Sequence, residues 1–175
     1  MADAFSWVIR FLHIVSGVMW VGGAFLWGMV IAPRVMQRGP PQIRLPFMET
    51  VLAPVSRYFN VAGAVTIVTG FWTLGLLAGW SGLVGAFQGD YAGAGYGAAL
   101  GIGVVLAAAM ALEGTLVIQP TARKLVAAMK TVQPGSPPPP EVPALGKKLG
   151  MASMLSLLLG MVALGAMAWA VNVVR

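Results

Sequence analysis

Cysteine is absent from these 175 residues. That excludes disulfides, thiolate-held iron–sulfur clusters and covalent c-type haem, which needs C-x-x-C-H. Histidine occurs once, as His13. Charge is scarce: Asp, Glu, Lys and Arg make up 9% of the chain, against about 25% in a soluble domain. A surface this poor in charge cannot face water, so the composition predicts an integral membrane protein. No carboxylate pair, Ser–His arrangement or zinc motif appears, which leaves hydrolytic chemistry unsupported.

What is present is apolar length. The chain is 58% hydrophobic. A bilayer core of roughly 30 Å needs about 20 apolar residues per helix. Four runs meet that, over about 5–32, 59–80, 95–118 and 149–171. They are continuous rather than alternating, so helices and not barrel strands are predicted. The expected fold is one all-α domain, a four-transmembrane-helix bundle covering 1–175. The first helix lacks a strongly basic start and its run is too long for a cleavable signal peptide.

The net charge of +6 is not a nucleic-acid footprint, because the basic residues sit at the borders of the apolar runs. Segment 33–58 carries Arg34, Arg38, Arg44 and Arg57. Segment 119–148 carries Arg123, Lys124, Lys130, Lys147 and Lys148. The positive-inside rule makes both loops cytoplasmic and puts both termini on the outer side. Turns are predicted at Gly39-Pro40-Pro41, Pro46 and Pro54, with LPFMETVLAPV as a short surface helix between them. The stretch Pro134–Pro143, PGSPPPPEVP, reads as polyproline-like spacer. The loop SGLVGAFQGDYAGAGY is glycine-rich and expected at the outer interface.

Chemistry, if present, passes through the first helix. Arg10, His13, Gly17, Trp20 and Trp27 share a stripe, since spacings of three and four stack on one face. Gly63, Thr66, Gly70 and Thr73 make a small and hydroxyl stripe on the second helix. Gly93, Gly97 and Gly101 repeat on the third, a pattern for close packing. Glu113 is an acid near the cytoplasmic end of that helix: a functional candidate, or a carboxylate satisfied by water, Arg123 or Lys124. A lone intramembrane histidine is a buried hydrogen-bonding residue, an axial haem ligand or a proton relay. For a b-type haem, Gly17 would leave room for the macrocycle, Trp20 would wall the pocket and Arg10 would pair with propionates. Met161 or Met167 is a candidate sixth ligand. Copper is the rival metal, favoured by thioethers. Among the eleven methionines, only Met151 and Met154 are closely spaced at one depth. The expected partners are the lipid bilayer and other membrane subunits or further copies of the chain. A cofactor-free structural or assembly subunit is the bland alternative. Helices 1 and 3 end alike, in Val30-Ile31-Ala32-Pro33 and Val117-Ile118-Gln119-Pro120. This hints at two related hairpins, with Leu100 opposite His13.

His13, Trp20, Gly22-Gly23 and the ending Ala32-Pro33-Arg34 resemble the first helix of a bacterial membrane superfamily. It includes the urate oxidase N-terminal membrane domain and, more distantly, copper-resistance D proteins and membrane protoporphyrinogen oxidases. RYFNVAGAVTIVTGFWTLG, ALEGTLVIQPTARKL and KKLGMASMLSLLLGMVA are similar to the later helices of the urate oxidase type. The resemblance implies a haem-associated redox module in the bacterial inner membrane, with His13 as ligand, acting as an oxidoreductase component. The chain departs from the protoporphyrinogen oxidases at GYGAALGIGVVL, where their helix 3 lysine has no match.

Overall fold

The computed structural model describes residues 4–88, 90, 92–132 and 139–173. Among the described residues there are helices and turns and no strand. Helix α1, Ala4–Phe25, widens into a π-helical turn, Leu26–Ile31. A second π turn, Arg34–Arg38, leads to Gly39 and Pro40, whose ψ angles are 148° and 142°. A residue before proline is pushed out of the helical region, so the helix stops there. Helix α2 then runs over Pro41–Ala78. Gly79 closes it with φ 77°, and Gly93 precedes the next long helix with φ 88°. Both values are open to glycine because it has no Cβ. Between them lie a 3₁₀ turn, Trp80–Gly82, and the short α3, Leu83–Gln88. Helix α4, Ala94–Glu113, passes through a π turn, Gly114–Ile118, into α5, Gln119–Lys130. Helix α6 spans Glu141–Val173.

The passes form two antiparallel hairpins. In the first, Phe5 meets Trp72 near the termini and Gly23 meets Tyr58 further down. In the second, Gly103 meets Met167 and Gly160 meets Met110. Val21 of α1 also seats on Gly160, which joins the hairpins. One buried cluster, around Leu74, Tyr96 and Leu100, closes the end that holds the termini. A second, around Trp20, Ala62 and Met110, fills the middle. Among the described residues four stretches are long and apolar enough to cross a membrane: Ala4–Ile31, Gln42–Ala78, Ala94–Lys130 and Glu141–Ala170. Ile14, Val18, Val68, Val105, Leu116 and Leu158 stand exposed around them, a surface that a lipid environment covers.

The helices are longer than the apolar runs. The 38 residues of α2 extend about 57 Å at 1.5 Å per residue. No turn forms at Pro46 or Pro54; both lie inside α2. Each proline removes one backbone donor, but packing outweighs the loss. Met48, between the two prolines, is 2% exposed, and Leu125 of α5 is 1% exposed. Segment 119–130 is likewise helix, not loop. Its apolar face (Ala122, Leu125, Ala128) is buried while Arg123, Lys124 and Lys130 point out. Of the Pro-rich stretch, 134–138 lie outside the described residues, and Pro143 sits in the first turn of α6, where proline is tolerated. The glycine loop carries α3, with Ala86 buried among Leu74, Tyr96 and Leu100. Of the expected glycine stripe Gly97 is buried, but a Cβ on Gly93 or Gly101 would meet nothing within 4 Å, whereas Gly103 and Gly160 carry close contacts.

The hint of repetition has a backbone counterpart. The Ala32 N–H bonds the Trp27 carbonyl, and the Gln119 N–H bonds the Gly114 carbonyl. Each donor immediately precedes a proline, Pro33 or Pro120. A proline ring clashes with the carbonyl four residues back, and a widened turn relieves that clash in both hairpins.

Candidate functional site

His13 sits at the α1–α2 seam, partly buried. Its Nδ1 lies 2.8 Å from the Thr66 carbonyl oxygen. A carbonyl only accepts, so Nδ1 carries the proton and donates. In the neutral ring this leaves the lone pair on Nε2. That nitrogen has no hydrogen-bond partner among the described residues and is not one of the buried, unpartnered atoms. Metal-bound histidines usually have their second nitrogen pinned in this way. The ring fits against α2 because position 70 is glycine: a Cβ there would lie 2.7 Å from Cε1 of His13. One turn on, the Thr66 hydroxyl lies 2.7 Å from the Ala62 carbonyl and 3.0 Å from Ser16 Oγ, and Ser16 donates to the Leu12 carbonyl at 2.6 Å. One turn toward the termini on each helix, Arg10 Nε and Thr73 Oγ1 are buried without a hydrogen-bond partner.

The other predicted site residues are engaged in packing. Gly17 is buried, and a Cβ on it would lie 3.6 Å from the Thr66 methyl group. The room at Gly17 is therefore filled by α2. Trp20 is buried with its ring over Gly63, 3.0 Å from where a Cβ would be. Met167 turns into Gly103 on α4. Met161, Met151 and Met154 are exposed on α6. Among the described residues no three His, Cys, Asp or Glu side chains gather as metal donors, so a metal held here would depend on His13 with a single protein nitrogen. Glu113 stands beside the Ser156 hydroxyl, not beside Arg123 or Lys124, and its Oε2 is buried without a partner. The stripe Gly63–Thr66–Gly70 is visible in the sequence; that its carbonyl and its glycine are what hold His13 is not, because that pairing spans 53 positions.

Trp20 does wall a cavity, of about 360 Å³, deeper toward the basic end. Trp27, Phe59, Ile67, Met110 and Ile118 line it, and His13 does not. Two of the three π turns border it, Leu26–Ile31 through Trp27 and Gly114–Ile118 through Gly114 and Thr115. Next to it, between α2 and α5, runs a polar groove of about 520 Å³ holding Glu49, Arg57, Arg123 and Lys130. Lys130 and Glu49 pair at 2.8 Å.

The architecture is that of an all-helical bundle with four candidate membrane spans. Compared with known protein families, curated proteins and solved structures, the chain matches none.

Proposed function

We propose that the chain is a multi-pass membrane redox subunit in which His13 Nε2 ligates a b-type haem. The basic end would face the cytoplasm, the termini the outer side of a bacterial inner membrane. The observation that carries this reading is the Nδ1–H bond to the Thr66 carbonyl, which fixes the tautomer and leaves Nε2 free. The resemblance of helix 1 to haem-associated membrane domains supports it. A bound haem would supply one-electron chemistry at its iron. This chain's residues would hold the imidazole at a set angle, and Arg10, one turn away, would supply positive charge toward carboxylates. Gly17 and Trp20 would support the helix pair rather than contact the group, and Met167 would pack on Gly103.

A second reading has its own observation. The same bond and glycine cradle clamp α1 to α2 without any cofactor, as in a structural subunit. Oxidised and dithionite-reduced spectra of the detergent-purified protein separate the two. A reduced b-type spectrum that is lost in a folded His13→Ala variant is the expected result. A colourless wild type leaves the clamp as the role of His13.

A further inference from the structure

We propose that the basic end of the bundle binds an acidic phospholipid, its phosphate between Arg57 and Arg123 and one acyl chain in the adjoining cavity. This rests on the membrane placement proposed above and not on His13.

Arg57 of α2 and Arg123 of α5 line the same groove. Both are exposed, and neither has an ion-pair or hydrogen-bond partner among the described residues. The groove's other cation, Lys130, is already paired with Glu49. Two unpaired guanidinium groups on one concave surface repel each other, and an anion between them reverses the sign of that interaction. Guanidinium matches phosphate oxygens through paired, planar hydrogen bonds.

The groove does not end in the polar zone. It shares Met48, Leu52, Ser56, Asn60 and Gln119 with the cavity behind it. The Gln119 amide donates to Asn60 Oδ1 at 2.8 Å across the two helices, at that junction. Beyond it the walls are Trp20, Trp27, Phe59 and Met110. The order is therefore charge, then amide, then apolar wall. Arg57 lies just before the apolar run of α2. Arg123 lies just past the π turn that ends at Ile118. On α2 the cavity reaches from Met48, before Arg57, to Ile67, well inside the apolar run, so its far part, walled by Trp20, Ile67 and Met110, is where an acyl chain would lie. That sequence of chemistries matches a lipid and not a water-soluble anion. Basic pockets between membrane helices on the cytoplasmic side are typical sites for anionic headgroups.

The test is native mass spectrometry of the full chain in mild detergent with phosphatidylglycerol, phosphatidylcholine or inorganic phosphate added. Phosphatidylglycerol retained at one per chain, in preference to phosphatidylcholine, is the expected result. Arg57→Gln and Arg123→Gln should each weaken retention roughly five-fold, as about one unit of kcal-scale attraction per cation implies. Both side chains are exposed, so neither change should disturb folding. A double Lys147→Gln, Lys148→Gln variant, which removes two exposed charges outside the groove, should behave as wild type. A short-chain phosphatidylglycerol should bind more weakly than the long-chain form. Equal retention of the two headgroups overturns the proposal. So does full competition by inorganic phosphate or short-chain lipid, or an equal loss in the lysine variant. None of these readouts involves colour, so this proposal and the haem proposal fail independently.

Discussion

The imidazole of His13 occupies the space that a side chain at Gly70 would need. A Cβ built there would lie 2.7 Å from Cε1 and 3.1 Å from Nδ1. Glycine at 70 and the hydrogen bond to Thr66 are therefore one device: the first lets the ring in, the second sets its rotation.

Gly70→Ala should push the ring outward and break its bond to Thr66. Forcing an extra methyl into a packed seam costs about 1–3 kcal/mol. The expected outcome is a lower thermal unfolding midpoint in detergent and, if haem is bound, a weaker reduced spectrum. An unchanged midpoint would show that the cradle does not matter.

Thr66→Val separates the two jobs of that residue. It deletes the hydroxyl that sits between the Ala62 carbonyl and Ser16 Oγ but keeps the carbonyl that holds His13. A loss of about 0.5–1.5 kcal/mol is expected for one hydrogen bond. The visible spectrum should stay as in wild type, in contrast to His13→Ala. A shifted spectrum in Thr66→Val would place the hydroxyl, rather than the carbonyl, in control of the ring.

Gly101 and Gly160 should respond in opposite directions. Gly101 faces open space, so Gly101→Ala should stabilise the helix by about 0.5–1 kcal/mol. Gly160 is pressed by Val21 and Met110, and Gly160→Val should destabilise by about 1–3 kcal/mol. Thermal melts of the two variants side by side decide this, and equal shifts of one sign would mean the hairpins dock elsewhere.

The absence of cysteine gives a clean route to topology. Ser81→Cys lies at the end holding the termini, and Lys147→Cys at the basic end; both positions are exposed. A membrane-impermeant thiol reagent added to intact cells should label the first and reach the second only after permeabilisation. Labelling of both from outside would contradict the proposed orientation.

How much of this was legible in the sequence depends on the kind of signal. Apolar length announced the four helices, and the shared endings at Pro33 and Pro120 announced a repeat. The stripe Gly63–Thr66–Gly70 was visible as well. Its partner was not, because lipid-facing and helix-facing positions are equally apolar and periodicity does not name the neighbour. Pro46 and Pro54 pointed the wrong way for a similar reason: local backbone chemistry was outweighed by burial such as that of Met48, which only the tertiary packing reveals. Trp20 read as a pocket wall and Met167 as a candidate thioether ligand, because a sequence names the side chain and not what it faces; their neighbours are Gly63 and Gly103.

The π turns Leu26–Ile31 and Gly114–Ile118, two of the three, also set a rotational phase. Each accommodates one residue more than an α-turn would, and one residue is about 100° of azimuth. Everything past Leu26–Ile31 and past Gly114–Ile118 is thereby twisted relative to the apolar helix that precedes it. In α5 that twist accompanies a change of roles: Leu125 and Ala128 point inward and Arg123 outward. Deleting one residue from a π turn, such as Gly28 or Thr115, would leave the apolar helix intact while turning its basic extension away from its neighbours. The two halves of each long column are thus geared to each other by a single residue.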